Sequence, residues 1–147
     1  MTRPLRYPLT VFYDASCPLC ATEMHALREL DAHGRIELID CSAPEFSDEG
    51  LRAEGITRGR LMTVIHARDA RGRWLVGAAA FEALYHAAGL DNVARVWASP
   101  RWRPILERLY PWIARYRHPL SRLGVHRAVG RLIRRAANRR DAGARAR

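Results

Sequence analysis

Apolar residues come in short clusters over the first part of the chain and in long helical stripes after it. Leu9-Thr10-Val11-Phe12-Tyr13 is apolar, β-branched and aromatic, which predicts a buried strand. Asp14-Ala15-Ser16 follows as a polar loop. A helix is expected from about Cys17, with Ser16 as its cap and Pro18 in its first turn. Cys20, Met24, Leu27 and Leu30 then recur at helical spacing, and His33-Gly34 supplies the stop. Ile36 to Cys41 reads as a second strand. Residues 43–55 are polar and acidic, a loop with a short helix near Asp48 to Ala53. Leu61 to His66 predicts a third strand, Asp69 to Gly72 a turn and Trp74-Leu75-Val76 a fourth strand, the last two strands forming a hairpin. Gly77 opens a helix over Ala78 to about Ala88, closed by Gly89.

Strands one and two, joined through a helix, are expected to be parallel with a right-handed crossover, and strands three and four antiparallel. The order β-α-β-(α)-β-β-α is that of a thioredoxin-like α/β fold, here with additional C-terminal helices. Ser99-Pro100 signals a helix start, and Trp102, Ile105, Leu106, Leu109, Ile113 and Tyr116 recur at three- and four-residue steps. Pro111 falls inside that pattern and is expected to kink or break it. Leu120 to Ala137 carries Leu123, Val129, Leu132, Ile133 and Ala136 on one stripe, and 138–147 reads as a disordered, Arg-rich tail. Trp97, Trp102, Tyr110, Trp112 and Tyr116 are expected in the core or between helices, with a groove beside the Cys17 loop as the alternative.

A length of 147 residues suits one domain. No apolar run approaches the roughly 18 residues of a membrane span. Met1 to Thr10 lacks the apolar core of a secretory signal, so a cytoplasmic location is expected. Charge divides the chain: residues 1–90 net −2, residues 91–147 net +12, and every Lys/Arg position is Arg. Arg127, Arg131, Arg134, Arg135, Arg139 and Arg140 are a solvated face or a weak attractor of anionic surfaces. No aromatic residue interleaves this cluster, which argues against single-stranded nucleic acid as its partner.

Three cysteines, Cys17, Cys20 and Cys41, are too few and too odd for a secreted disulfide scaffold. Cys17-Pro18-Leu19-Cys20 places one thiol at a helix N-terminus, where free N–H groups and the helix dipole favour a thiolate. Cys17 is expected to be the more acidic and more exposed thiol, with Cys20 one turn in as the resolving thiol. Asp14 either accepts a proton from the thiols or holds the loop as a turn residue. The expected partner is a protein or small-molecule thiol or disulfide, and no cofactor is implied. The rival is zinc held by Cys17, Cys20 and Cys41 with His25 or His66, although His25, five residues from Cys20, lies on a different helix face. Cys41 by itself reads as a small buried residue. The six histidines show no ligand spacing.

Tyr13-Asp14-Ala15-Ser16-Cys17-Pro18-Leu19-Cys20 resembles the Asp-x-x-Cys-x-x-Cys signature of the DCC family of thiol–disulfide oxidoreductases, with Ala15 where that family most often has Gly. Gly77-Ala78 with Ala80 is similar to its Gly-x-x-Ala segment, and Tyr110 to Arg117 to its Tyr-x-x-x-Ala-x-x-Arg element. The resemblance spans about residues 8–123. It implies a thioredoxin-like domain that includes C-terminal helices and dithiol–disulfide exchange by Cys17 and Cys20 beside Asp14; the chain is read as that domain over 1–123 followed by a basic helical extension and Arg-rich tail over 124–147. The proline that thioredoxins place before the third strand is missing, and Arg60, Leu61 or Met62 is expected on that side.

Overall fold

Strand β1 (Leu9–Tyr13) presents apolar side chains to both faces of the sheet, and the rest of the chain is arranged around it. The structure is a computed structural model describing residues 4–145. Helix α1 (Pro18–Leu30) carries the chain across to β2 (Ile36–Asp40), which pairs parallel with β1 from Leu9 opposite Ile36 to Tyr13 opposite Asp40. Strand β3 (His66–Arg68) runs antiparallel to β1, with Phe12 opposite His66, and β4 (Trp74–Val76) closes the hairpin. The sheet order is β2-β1-β3-β4, the mixed α/β arrangement expected of a thioredoxin-like fold.

Leu9, Val11 and Tyr13 face α1 and α3 (Ala78–Ala87), where Met24, Leu27, Ala80 and Leu84 complete the main core. A fully buried Leu of this kind contributes about 1.5–3 kcal/mol. The other face is smaller: Phe12, Cys41, Ile56 and Leu61 pack there. Helices α4 (Asp91–Ala98), α5 (Arg103–Arg122) and α6 (Val125–Arg145) follow. Helix α6 lies along α1, with Ile133 and Ala137 inside the main core and Gly130 close against Thr22.

Four expectations are corrected. The third strand is not Leu61 to His66. Thr57 caps a short helix, α2 (Arg58–Thr63), by accepting the Arg60 N–H at 3.3 Å, and pairing begins only at His66. Local capping therefore overrides the apolar run, and Leu61 is buried from a helix instead. Pro111 does not break α5, which runs through both Pro111 and Pro119. Both prolines are exposed, as are Glu107 and Arg115, the residues whose carbonyls lose their donors. Residues 138–145 are helical, not disordered, and Arg140 donates to the Ala88 carbonyl at 3.1 Å; the rest of the expected tail, residues 146 and 147, lies outside the described residues. The aromatic set also divides. Trp97 stacks on Phe81 at 4.7 Å and Tyr110 meets the same ring edge-on at 5.4 Å, whereas Trp102, Trp112 and Tyr116 are exposed. Among the described residues no helix is long and apolar enough to cross a membrane.

Candidate active site

The turn after β1 delivers Cys17 to the N-terminus of α1, where it is the N-cap. Its backbone is extended (φ −92°, ψ 111°), its carbonyl accepts the Ala21 N–H at 2.9 Å, and its Sγ accepts the Cys20 N–H at 3.4 Å. The sulfur thus takes the place usually held by a Ser or Asp oxygen, where the unpaired N–H groups favour negative charge. Ser16 is therefore not the cap. Its N–H and Oγ both donate to Asp14 Oδ1, at 3.0 and 2.5 Å.

Hydrogen bonding from the Cys20 thiol and the Cys20 N–H, with the Ser121 hydroxyl and the Arg117 guanidinium, brings the Cys17 thiol down to about 6 against the opposing effect of burial. The same thiol–thiol hydrogen bond, together with burial, pushes Cys20 up. The acidity of Cys17 agrees with expectation, but its exposure does not. Cys17 is 0% exposed and Cys20 is the partly exposed member of the pair. The covering group is Ser121 of α5, whose Oγ lies 4.0 Å from Cys17 Sγ, accepts the Leu19 N–H at 3.1 Å and donates to the Arg117 carbonyl at 2.7 Å. A helix distant in sequence closes over the thiol, which local spacing does not reveal.

Asp14 is buried, and its Oδ2 accepts from Arg117 at 2.8 Å with His118 Nε2 at 3.5 Å. The Arg117 guanidinium also donates to the Met62 carbonyl. Asp14 therefore ties the loop before Cys17 to α5. Tyr110, Ala114, Arg117 and Ser121 follow one another at four-, three- and four-residue steps and present one face of α5 to the site. Composition and spacing do not mark Arg117, Ser121 or Tyr110 as site residues; the Tyr-x-x-x-Ala-x-x-Arg resemblance is the signal for the first and last of these.

Cys20, Asp14, Glu23, Tyr110 and Arg117 line a cavity of about 60 Å³, room for a few waters. Glu23 accepts from the Tyr85 hydroxyl at 2.6 Å, and burial pushes its carboxyl up to about 6. On the side where thioredoxins carry a proline, Leu61 lines this cavity with Val64 and Ile65. The Ile65 N–H there donates to the Tyr110 hydroxyl at 2.8 Å. Of the other two residues expected on that side, Met62 contributes its carbonyl to Arg117 and Arg60 turns away to the Gly55 carbonyl.

The residues of the zinc reading do not converge. Cys41 packs with Phe12 and Leu61 on the other face of the sheet, and burial pushes its thiol up to about 12. His25 pairs with the Tyr13 hydroxyl at 3.1 Å, and His66 is buried with Nδ1 at 2.8 Å from the Val64 carbonyl. Among the described residues no three His, Cys, Asp or Glu side chains gather as a metal cage.

The sequence model of a family described as DCC1-like thiol-disulfide oxidoreductase matches residues 11–123. A chloroplastic protein of Arabidopsis thaliana, itself uncharacterized, is 30% identical over 116 residues, covering 78% of this chain. The chain spans about half, 53%, of the length of that relative. No solved structure matches the chain.

Proposed function

Because the chain belongs to the DCC1-like thiol-disulfide oxidoreductase family, we propose that it exchanges disulfides through Cys17 and Cys20 with a protein or small-thiol partner. The Cys17 thiolate attacks one sulfur of a substrate disulfide, releases the other as a thiolate, and becomes a mixed disulfide. Cys20 then passes its proton to the substrate thiolate released first and attacks Cys17 Sγ. This forms the Cys17–Cys20 bond and releases the second substrate thiolate, so the pair is oxidised by two electrons and the substrate reduced. The reverse sequence oxidises a substrate dithiol. The observation that carries this reading is the lowered Cys17 thiol at a helix N-terminus, its sulfur accepting the Cys20 N–H at 3.4 Å with the second thiol three residues on. Asp14 serves as a positioning residue: it holds Arg117 beside the site, where the guanidinium favours the thiolate. Substrate attack on Cys17 requires the Ser121 end of α5 to yield, since the sulfur is covered at rest.

We assign this activity to the cytoplasm, where an unpaired third cysteine, Cys41, stays reduced. The exposed arginines Arg127, Arg131, Arg134, Arg135 and Arg139 of α6 add a weak, salt-sensitive attraction to anionic surfaces. The experiment is capture by a Cys20→Ser variant. This variant retains the nucleophile but cannot resolve, so substrate is expected to accumulate on Cys17, and Cys17→Ser to trap nothing. Equal trapping by both variants contradicts the assignment of the nucleophile.

A further inference from the structure

Helix α5 turns one face to the thiol site and leaves another without a partner among the described residues. Trp102, Ile105, Leu109, Trp112 and Tyr116 form the second face and fall within roughly 80° of arc at 3.6 residues per turn. All five are exposed, Trp102 at 54% and Trp112 at 53%, and Leu123, 81% exposed, continues the stripe past the helix end. Along the flank of the stripe run Arg108, Arg115 and Arg122 at seven-residue intervals, all exposed. The one acid of the helix, Glu107, is paired with Arg103 at 2.9 Å, which leaves this row without a counter-charge on its own helix.

We infer that this face of α5 docks on an anionic lipid surface. Interfacial amphipathic helices combine Trp and Leu on an apolar face with arginines at its edge, which meet lipid headgroups while the apolar side chains enter the acyl boundary. A second copy of the chain fits less well, because it would set one arginine row against another. A nucleic acid would satisfy the arginines and leave Ile105 and Leu109 unused. The α6 arginines draw the protein toward a negative surface, and the α5 face supplies the seat. The inference is independent of the thiol chemistry and stands or falls apart from it.

The test is co-sedimentation of the full chain with phosphatidylcholine vesicles, with and without phosphatidylglycerol. The wild type is expected to bind only the anionic vesicles, with release by salt and a blue shift of tryptophan fluorescence. Each arginine near an anionic surface is worth about fivefold in partitioning, so Arg108→Gln, Arg115→Gln and Arg122→Gln together are expected to weaken binding about a hundredfold. Ile105→Ser, Leu109→Ser and Trp112→Ser together should abolish the blue shift. These side chains are exposed, so the melting temperature should hold; if that variant unfolds, the arginine variant carries the test. Failure of the wild type to bind anionic vesicles overturns the inference. So does stripe-independent binding that is lost instead with Arg131→Gln, Arg135→Gln and Arg139→Gln, or binding to duplex RNA with none to vesicles.

Discussion

At Cys17 two requirements oppose each other: a thiolate needs donors around it, and a nucleophile needs access. The structure meets the first through Cys20, Ser121 and Arg117 at the expense of the second. Thiolate absorbance of the reduced protein, with Cys20→Ser and Cys41→Ser as references, should therefore titrate for Cys17 at about 6, against 9.0 for an ordinary thiol. Alkylation of Cys17 should slow as pH falls through that value. The sign for stability follows from the same shift. The folded value lies below the unfolded one, so the contribution is fully present above about pH 9 and is lost as pH falls through about 6. Arg117 is the second residue to probe. Its side chain is 13% exposed and that of Asp14 only 2%, so Arg117→Gln leaves a carboxylate buried without its cation. Loss of one partner of such a pair costs about 3–5 kcal/mol. Urea unfolding should show that loss, and the Cys17 titration should move up because a favourable charge has gone. An unchanged titration would remove Arg117 from the thiolate's environment.

Helix α5 completes the site, and its Tyr110 packs near Gly77 at the end of the hairpin. Gly77 has φ 58° and ψ −123°, a conformation that L side chains rarely adopt, and a Cβ there would meet Tyr110 at 3.8 Å. The space is adequate, so Gly77→Ala acts through backbone strain and should destabilise by about 1–3 kcal/mol in urea unfolding. An unchanged midpoint would show that the backbone relaxes. The sequence makes elements legible where one signal dominates. The apolar β1 run, the stripe of α1 and the Asp69–Gly72 turn all fall where expected. It misleads where two signals compete. In 57–66 the Thr57 cap competes with an apolar β-branched run, and the cap wins over Arg58–Thr63. At Pro111 a lost hydrogen bond competes with packing of Tyr110 and Arg117 on either side, and packing wins. The dithiol was legible from its spacing. Its cover was not, because Ser121 lies more than a hundred residues from Cys17 and only the folded chain brings them together.

Over the whole molecule, the basic C-terminal third is also structural. Ile133 and Ala137 of α6 lie in the main core, and beyond them Arg140 donates to the Ala88 carbonyl at the end of α3. A chain ending at Ala137 keeps the buried residues and loses that hydrogen bond, so it should remain folded and lose about 1 kcal/mol. Its dithiol exchange should match the full chain, because Cys17 and its partners Cys20, Arg117 and Ser121 all precede the cut. A truncated chain that fails to melt cooperatively would mean that residues 138–145 hold more of the fold than this contact. Whether Cys17 and Cys20 act as a single redox couple is read most directly by quantitative thiol labelling and intact mass after equilibration across a series of glutathione buffers. The two thiols should disappear together, in one two-electron transition and with the mass loss of an internal disulfide, while buried Cys41 stays reduced. Separate transitions, a stable glutathione adduct on Cys17 with Cys20 still free, or a pair that stays reduced under oxidising conditions would contradict the proposed exchange chemistry.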